Sequence, residues 1–149
     1  LADPAADAEA NLAAPAQAFS IKPCVLMVED DPAILQTTRI LLQSMGAETL
    51  TAASKREALA LFRKHADTIN LILLDAQIGR LDNVRLLTTF RMRKPGIPTV
   101  IVSGHTETKI REMFAAAPFN GFLSKPYTME DLRRTLSPFI PLNRIGVPR

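Results

Sequence analysis

The chain has a single cysteine, no apolar run long enough to cross a membrane and no glycine-rich phosphate loop, and each absence removes a class of function. Cys24 alone cannot close an internal disulfide, so stability has to come from a packed core. At the head of an apolar segment the residue reads as a small buried hydrophobe. A membrane-spanning helix needs about 20 consecutive apolar residues, and no such stretch occurs. The opening Leu1-Ala2-Asp3-Pro4-Ala5-Ala6-Asp7 lacks both the positive region and the long apolar stretch of a signal peptide. Together these absences predict a cytoplasmic protein with no membrane contact through this segment. Without a Gly-rich phosphate loop, nucleotide binding on an α/β fold is disfavoured. There is also no internal repeat and no kinase catalytic motif.

Charge is equally undramatic. The formal net charge is +3, and the acids Asp3, Asp7 and Glu9 sit in a leading segment without Lys or Arg, which leaves the remainder more basic. The densest basic stretch, Arg91, Arg93 and Lys94, falls at a predicted helix end before Pro95, where cations complement exposed carbonyls. No aromatic residues interleave with it, so no direct nucleic-acid contact is expected.

What is present fits one domain: 149 residues, 47% of them hydrophobic. Residues 1–22, rich in Ala and Pro, read as a linker or tail, residues 23–137 as the domain, and residues 138–149, where Pro138 and Pro141 end the regular pattern, as a C-terminal tail. Between them strand and helix patterns alternate. Strands are predicted over 24–29, 47–52, 69–75, 98–102 and 120–124. Pro32 opens a first helix that Gly46 stops, Ser54 with Glu57 begins a second, and further helices are predicted over 83–93, 106–116 and 128–137. Five βα units joined by short loops imply a three-layer α/β sandwich around a parallel sheet with right-handed crossovers. The almost unbroken apolar run 69–75 has to be covered on both faces, which makes it a central strand.

Four of these apolar runs stop at polar residues that could serve one reaction. Val25-Leu26-Met27-Val28 stops at Glu29-Asp30, Leu71 to Leu74 at Asp75, Val100-Ile101-Val102 at Ser103, and Gly121-Phe122-Leu123 just before Lys125-Pro126. Parallel strands end on one edge, so these residues gather in one crevice. Alone, Glu29 or Asp31 would be an ordinary solvated loop acid, and Asp31 is read as support for the first helical turn. Three carboxylates together repel unless a cation intervenes, and a hard divalent ion, Mg²⁺, is the economical resolution. Lys125 and Ser103 would face an anion with several oxygens, which a phosphoryl group is. Asp75 is then the natural nucleophile. Ser103 has a second reading as the cap of the helix beyond it, and Phe122 as a core residue. His65 reads as a helix-end residue, and His105 as part of the site's rim.

In order and spacing, Val28-Glu29-Asp30-Asp31-Pro32, Leu73-Leu74-Asp75, Val102-Ser103-Gly104 and Phe122-Leu123-Ser124-Lys125-Pro126 resemble the receiver domain of two-component response regulators. The resemblance covers residues 23–137. It implies a flavodoxin-like (βα)5 fold with strand order 2-1-3-4-5, an order taken over from the resemblance. It implies that Asp75 is the phosphoacceptor, that Glu29, Asp30, Asp75 and the backbone carbonyl of Gln77 hold Mg²⁺, and that Ser103 and Lys125 grip the phosphoryl oxygens. Phe122 stands at the family's aromatic switch position, and the Lys125–Pro126 bond is expected to be cis. The chain departs from the pattern after Asp75, with Gln77, Ile78, Gly79, Arg80, Leu81, Asp82 and Asn83 where a Pro and then Asp-Gly are common. Asn83 can take the positive φ of that turn, Gly79 should loosen the loop, and Gln77 and His105 flank the phosphoryl position.

The implied partner is a histidine kinase or a histidine phosphotransfer protein, and the face of helix 4, strand 5 and helix 5 is the expected switching surface; its Lys109, Arg111, Arg133 and Arg134 read first as a solvated basic face and second as a candidate homodimer or partner surface. The implied role is a phosphoacceptor signalling domain, not an enzyme acting on a separate substrate. An aspartate-nucleophile phosphatase is the competing class, but it wants a second acid two residues after the nucleophile, where Gln77 stands. A receiver-like docking module that does not switch is the third. Two contexts stay open: a free-standing regulator, or the terminal receiver of a hybrid sensor histidine kinase, whose loops Val102-Ser103-Gly104-His105 resembles.

Overall fold

The computed structural model describes residues 22–78 and 83–143. The expected N-terminal linker up to residue 21, the Gly79 to Asp82 part of the loop after Asp75, and residues 144–149 lie outside the described residues. Five strands, β1 (Cys24–Val28), β2 (Glu48–Ala52), β3 (Ile69–Asp75), β4 (Thr99–Ser103) and β5 (Gly121–Ser124), alternate with five helices, α1 (Pro32–Ser44), α2 (Lys55–His65), α3 (Asn83–Arg93), α4 (Glu107–Met113) and α5 (Met129–Leu136). All strand pairs are parallel and the order is β2-β1-β3-β4-β5. This is the flavodoxin-like sandwich that the alternating pattern and the resemblance predicted.

Strand alternation splits the core into two layers. Leu26 and Val28 of β1, Ile72 and Leu74 of β3 and Ile101 of β4 pack with Phe62 of α2, Leu86, Leu87 and Phe90 of α3, and Ile110 and Phe114 at α4. The intervening Val25, Met27, Leu71, Leu73, Val100 and Val102 pack on the other face with Leu42 and Met45 at α1 and Leu132 and Leu136 of α5. Two helices thus cover one face and three the other, which is why β1, β3 and β4 read as almost continuous apolar runs. Burying both faces removes roughly 1.5–3 kcal/mol of apolar exposure per large side chain, and it locks the register that aligns the strand ends. Val28 is opposite Leu74, Asp75 opposite Val102, and Ser103 opposite Ser124.

The helix starts follow the capping logic of the sequence. Asp31 caps α1, its Oδ1 accepting from the Ala33 amide at 2.9 Å and the Ile34 amide at 3.3 Å, with Pro32 in the first helical position. Gly46, with φ +94°, ends the helix as predicted. Ser54 caps α2 by accepting from the Glu57 amide at 3.2 Å.

Three expectations need correction. Asn83 is not a positive-φ turn residue: it is the buried first residue of α3, and its side-chain amide donates to the Ala76 carbonyl. Helix α4 ends at Met113, short of residue 116, because Phe114 turns into the core and meets Phe119 edge-on at 5.6 Å. The segment from residue 138 is, through Asn143, no free tail. Ile140 is buried, Phe139 and Leu142 pack beside it on the α1/α5 layer, and the Asn143 amide donates to the Met45 carbonyl at 2.8 Å. Pro138 and Pro141 stop the helix but leave the apolar side chains between and beyond them free to pack.

Candidate functional site

The aligned strand ends place Glu29, Asp75, Ser103 and Lys125 on one edge of the sheet. Glu29 and Asp75 are each 2% exposed, whereas Asp30 is open to solvent. One carboxylate oxygen from each of Glu29, Asp30 and Asp75 lies within 4.8 Å of the others. Each oxygen of the two buried carboxylates has a defined neighbour. Glu29 Oε2 accepts from the Asp31 amide at 3.0 Å, and its Oε1 lies 3.0 Å from Lys125 Nζ. Asp75 Oδ1 accepts from the Gln77 amide at 3.1 Å, and its Oδ2 lies 3.4 Å from Lys125 Nζ.

Lys125 reaches the carboxylates because its backbone continues the β4–β5 pairing, donating to the Ser103 carbonyl at 2.8 Å, before the cis Lys125–Pro126 bond. Burial pulls the Lys125 pKa down, but the bond to Glu29 and the charges of Asp75 and Glu29 outweigh it and hold the ammonium protonated. Burial pushes the Glu29 carboxyl up; the Asp31 amide bond opposes, the Asp75 charge pushes further, and Lys125 offsets only part, so the net direction is upward. Burial leads the shift at Glu29 and the neighbouring carboxylates decide that at Lys125, with the Asp75 charge pushing both upward. Three ionised carboxylates carry −3 and one ammonium +1, a deficit of two that a divalent cation on oxygen donors matches. The donor set therefore fits Mg²⁺.

The remaining predicted residues are less uniform. Ser103 is fully buried at the end of β4, and its Oγ accepts from the His105 amide at 2.9 Å, turned to its own loop. It is not the helix cap of the alternative reading: Thr106 caps α4, accepting from the Lys109 amide at 3.2 Å. Gln77 and His105 are exposed beside the crevice. Phe122 lies on β5, half-buried against the layer under α2, α3 and α4. Two features escaped sequence reasoning. Thr128 and Asp131 form a reciprocal capping box that a Thr-x-x-Asp spacing signals. The Thr38 and Tyr127 hydroxyls meet at 2.6 Å, a contact spanning 89 positions that no local pattern signals.

This fold, with an acidic crevice and a lysine at the carboxyl edge of the sheet, is that of the receiver class of signalling domains, and comparison with known proteins agrees. The response regulator receiver domain family matches residues 25–137. The chain belongs to this family, the receiver domains of two-component systems. It is 31% identical over 112 residues to the sensor kinase CckA of Brucella abortus, covering 75% of this chain and 12% of that protein. It is 29% identical over 108 residues to the cell cycle transcriptional regulator CtrA of Caulobacter vibrioides, covering 72% of this chain and 46% of that protein. The chain thus spans less than half the length of these relatives. Among solved structures, the chemotaxis protein CheY4 of Vibrio cholerae superimposes with a TM-score of 0.73 at 28% identity, covering 80% of this chain and 99% of that one. A receiver domain from Clostridium thermocellum gives 0.72 at 26% identity, covering 79% and 94%.

Proposed function

We propose that Asp75 accepts a phosphoryl group from the phosphohistidine of a histidine kinase or histidine phosphotransfer protein, in a Mg²⁺-dependent reaction in the cytoplasm. The observation that carries this is the buried Asp75 carboxylate held beside Lys125 at 3.4 Å within a three-carboxylate cluster. An Asp75 Oδ atom attacks phosphorus, the new P–O bond forms as the P–N bond breaks, and the imidazole nitrogen leaves with the electron pair. Glu29, Asp30, Asp75 and the Gln77 carbonyl would hold the ion, which when bound neutralises charge on the phosphoryl oxygens. Lys125 Nζ supplies the fixed positive charge, and Ser103 Oγ–H becomes a donor to a phosphoryl oxygen once it turns from the His105 amide.

A phosphoryl group adds about −1.5 to −2 charge at neutral pH. Drawing Ser103 and Lys125 toward it biases β4 and β5, and with them Phe122 and the α4–β5–α5 face, between two arrangements. On that face Arg111 pairs with Glu107, Arg133 with Glu130 and Arg134 with Asp131, each within its own helix. Met113 and Met129 stay exposed there. A homodimer through this face would therefore rest on packing more than on new ion pairs.

The test is intact mass after incubation of the chain with acetyl phosphate. A gain of one phosphoryl group that requires Mg²⁺ and vanishes in Asp75→Asn is expected. A gain that persists in Asp75→Asn, or no gain from either acetyl phosphate or a phosphohistidine protein, overturns the proposal.

A further inference from the structure

Thr38 lies mid-helix in α1 at 2% exposure, facing the α1/α5 layer. Its hydroxyl does not turn back on its own helix, as Thr88 does onto the Val84 carbonyl and Thr89 onto that of Arg85. It meets the Tyr127 phenol at 2.6 Å. Tyr127 is two residues beyond Lys125 and packs on the same layer.

The loop from Lys125 to Thr128 is tied at three points. The Lys125 amide donates to Ser103, the Thr128 capping box anchors the start of α5, and between them the Tyr127 phenol reaches across to α1. A Val and Phe pair would fill nearly the same space without burying a polar atom, and a buried hydroxyl is costly unless bonded. A hydrogen bond adds what packing alone does not, a fixed distance and direction. The phenol is also close enough to feel the charges of Glu29, Lys125 and Asp75.

We propose that Thr38 and Tyr127 are positioning residues whose hydrogen bond latches the Lys125 loop to α1 and so sets the ammonium where it reaches Glu29 and Asp75. The consequence for phosphoryl transfer rests on Asp75 being the phosphoacceptor; the consequence for the loop does not. Neither residue touches the carboxylates, so both act through the backbone that carries Lys125.

The test uses the full chain and three variants, T38V, T38S and Y127F, with two readouts. The first is hydrogen exchange of the Lys125 amide against that of Leu26 in β1. Losing a net hydrogen bond should speed exchange at Lys125 by roughly threefold to tenfold in T38V and Y127F, with Leu26 unchanged. The second is the first-order rate of Asp75 phosphorylation at saturating acetyl phosphate, expected to fall by a similar factor in both. T38S keeps the hydroxyl but loses a buried methyl, so it should be no more stable than T38V yet recover most of the transfer rate and the slow exchange. That reversal of order separates positioning from stability. Unchanged Lys125 exchange in T38V, or rates that follow thermal midpoints with T38S as slow as T38V, overturns the latch. If the wild-type chain accepts no phosphoryl group, the phosphoacceptor proposal falls, and the exchange data alone decide the latch.

Discussion

Lys125 Nζ stands closer to Glu29 Oε1, at 3.0 Å, than to Asp75 Oδ2, at 3.4 Å. The lysine therefore holds two carboxylates together while leaning on Glu29, not on the proposed phosphoacceptor. A cation placed among Glu29, Asp30 and Asp75 and the ammonium on Glu29 compete for the same negative charge. Lys125→Met should therefore bind Mg²⁺ more tightly, by on the order of tenfold, since a unit charge at this range is worth a few kcal/mol in a half-buried setting before solvent relaxation. The same variant should be phosphorylated more slowly. Calorimetric Mg²⁺ titration together with the acetyl phosphate rate checks both, and weaker Mg²⁺ binding in Lys125→Met would count against the competition.

The upward shift of Glu29 also makes stability depend on pH. The folded state holds this proton more tightly than the unfolded chain, so the contribution is full below the ordinary carboxyl value of 4.5 and is lost as pH rises through the raised folded value. Lys125 is raised as well, and its contribution persists until pH passes above 10.5. Between acid and neutral pH Glu29 therefore contributes a slope that Lys125 does not. In metal-free buffer, the stability of wild type relative to Glu29→Gln should fall from about pH 4 toward neutrality, and adding Mg²⁺ should remove the fall. Urea midpoints across that range give the difference directly, and a difference that rises with pH would contradict the assignment.

The chain after α5 is part of the fold through Asn143. Ile140, 4% exposed, should cost about 2–5 kcal/mol when cut to alanine. Ile40, 53% exposed on α1, should change stability by no more than roughly 0.5 kcal/mol. Truncation after Ser137 removes Phe139, Ile140 and Leu142 together and should lower the midpoint further than Ile140→Ala. Chemical denaturation of the three variants settles where the domain ends.

Much of this architecture was legible because parallel strands buried on both faces leave an unmistakable signature. The run Ile69 to Leu74 named a central strand, and the polar residue that stopped it, Asp75, sits in the acidic crevice. Glu29, Asp30 and Lys125 followed by the same logic. Strand order did not, since crossover rules fix handedness but not which edge β2 occupies. Proline at the C-terminus ends a helix without ending the core. The backbone tolerance of Asn83 suggests a turn, whereas its side-chain bond to the Ala76 carbonyl decides its place. The Thr38–Tyr127 contact joins two elements far apart in sequence, each unremarkable in its own neighbourhood.

The central claim is that Asp75 carries the phosphoryl group, and locating the modification tests it most directly. The chain is phosphorylated with acetyl phosphate and Mg²⁺, treated with borohydride, which reduces an acyl phosphate to the alcohol and so turns aspartate into homoserine, and then digested for peptide mass analysis. Homoserine at position 75, with Glu29, Asp30 and Asp31 unreduced, is the predicted result. Reduction at any of those other acids, with Asp75 intact, would contradict the account.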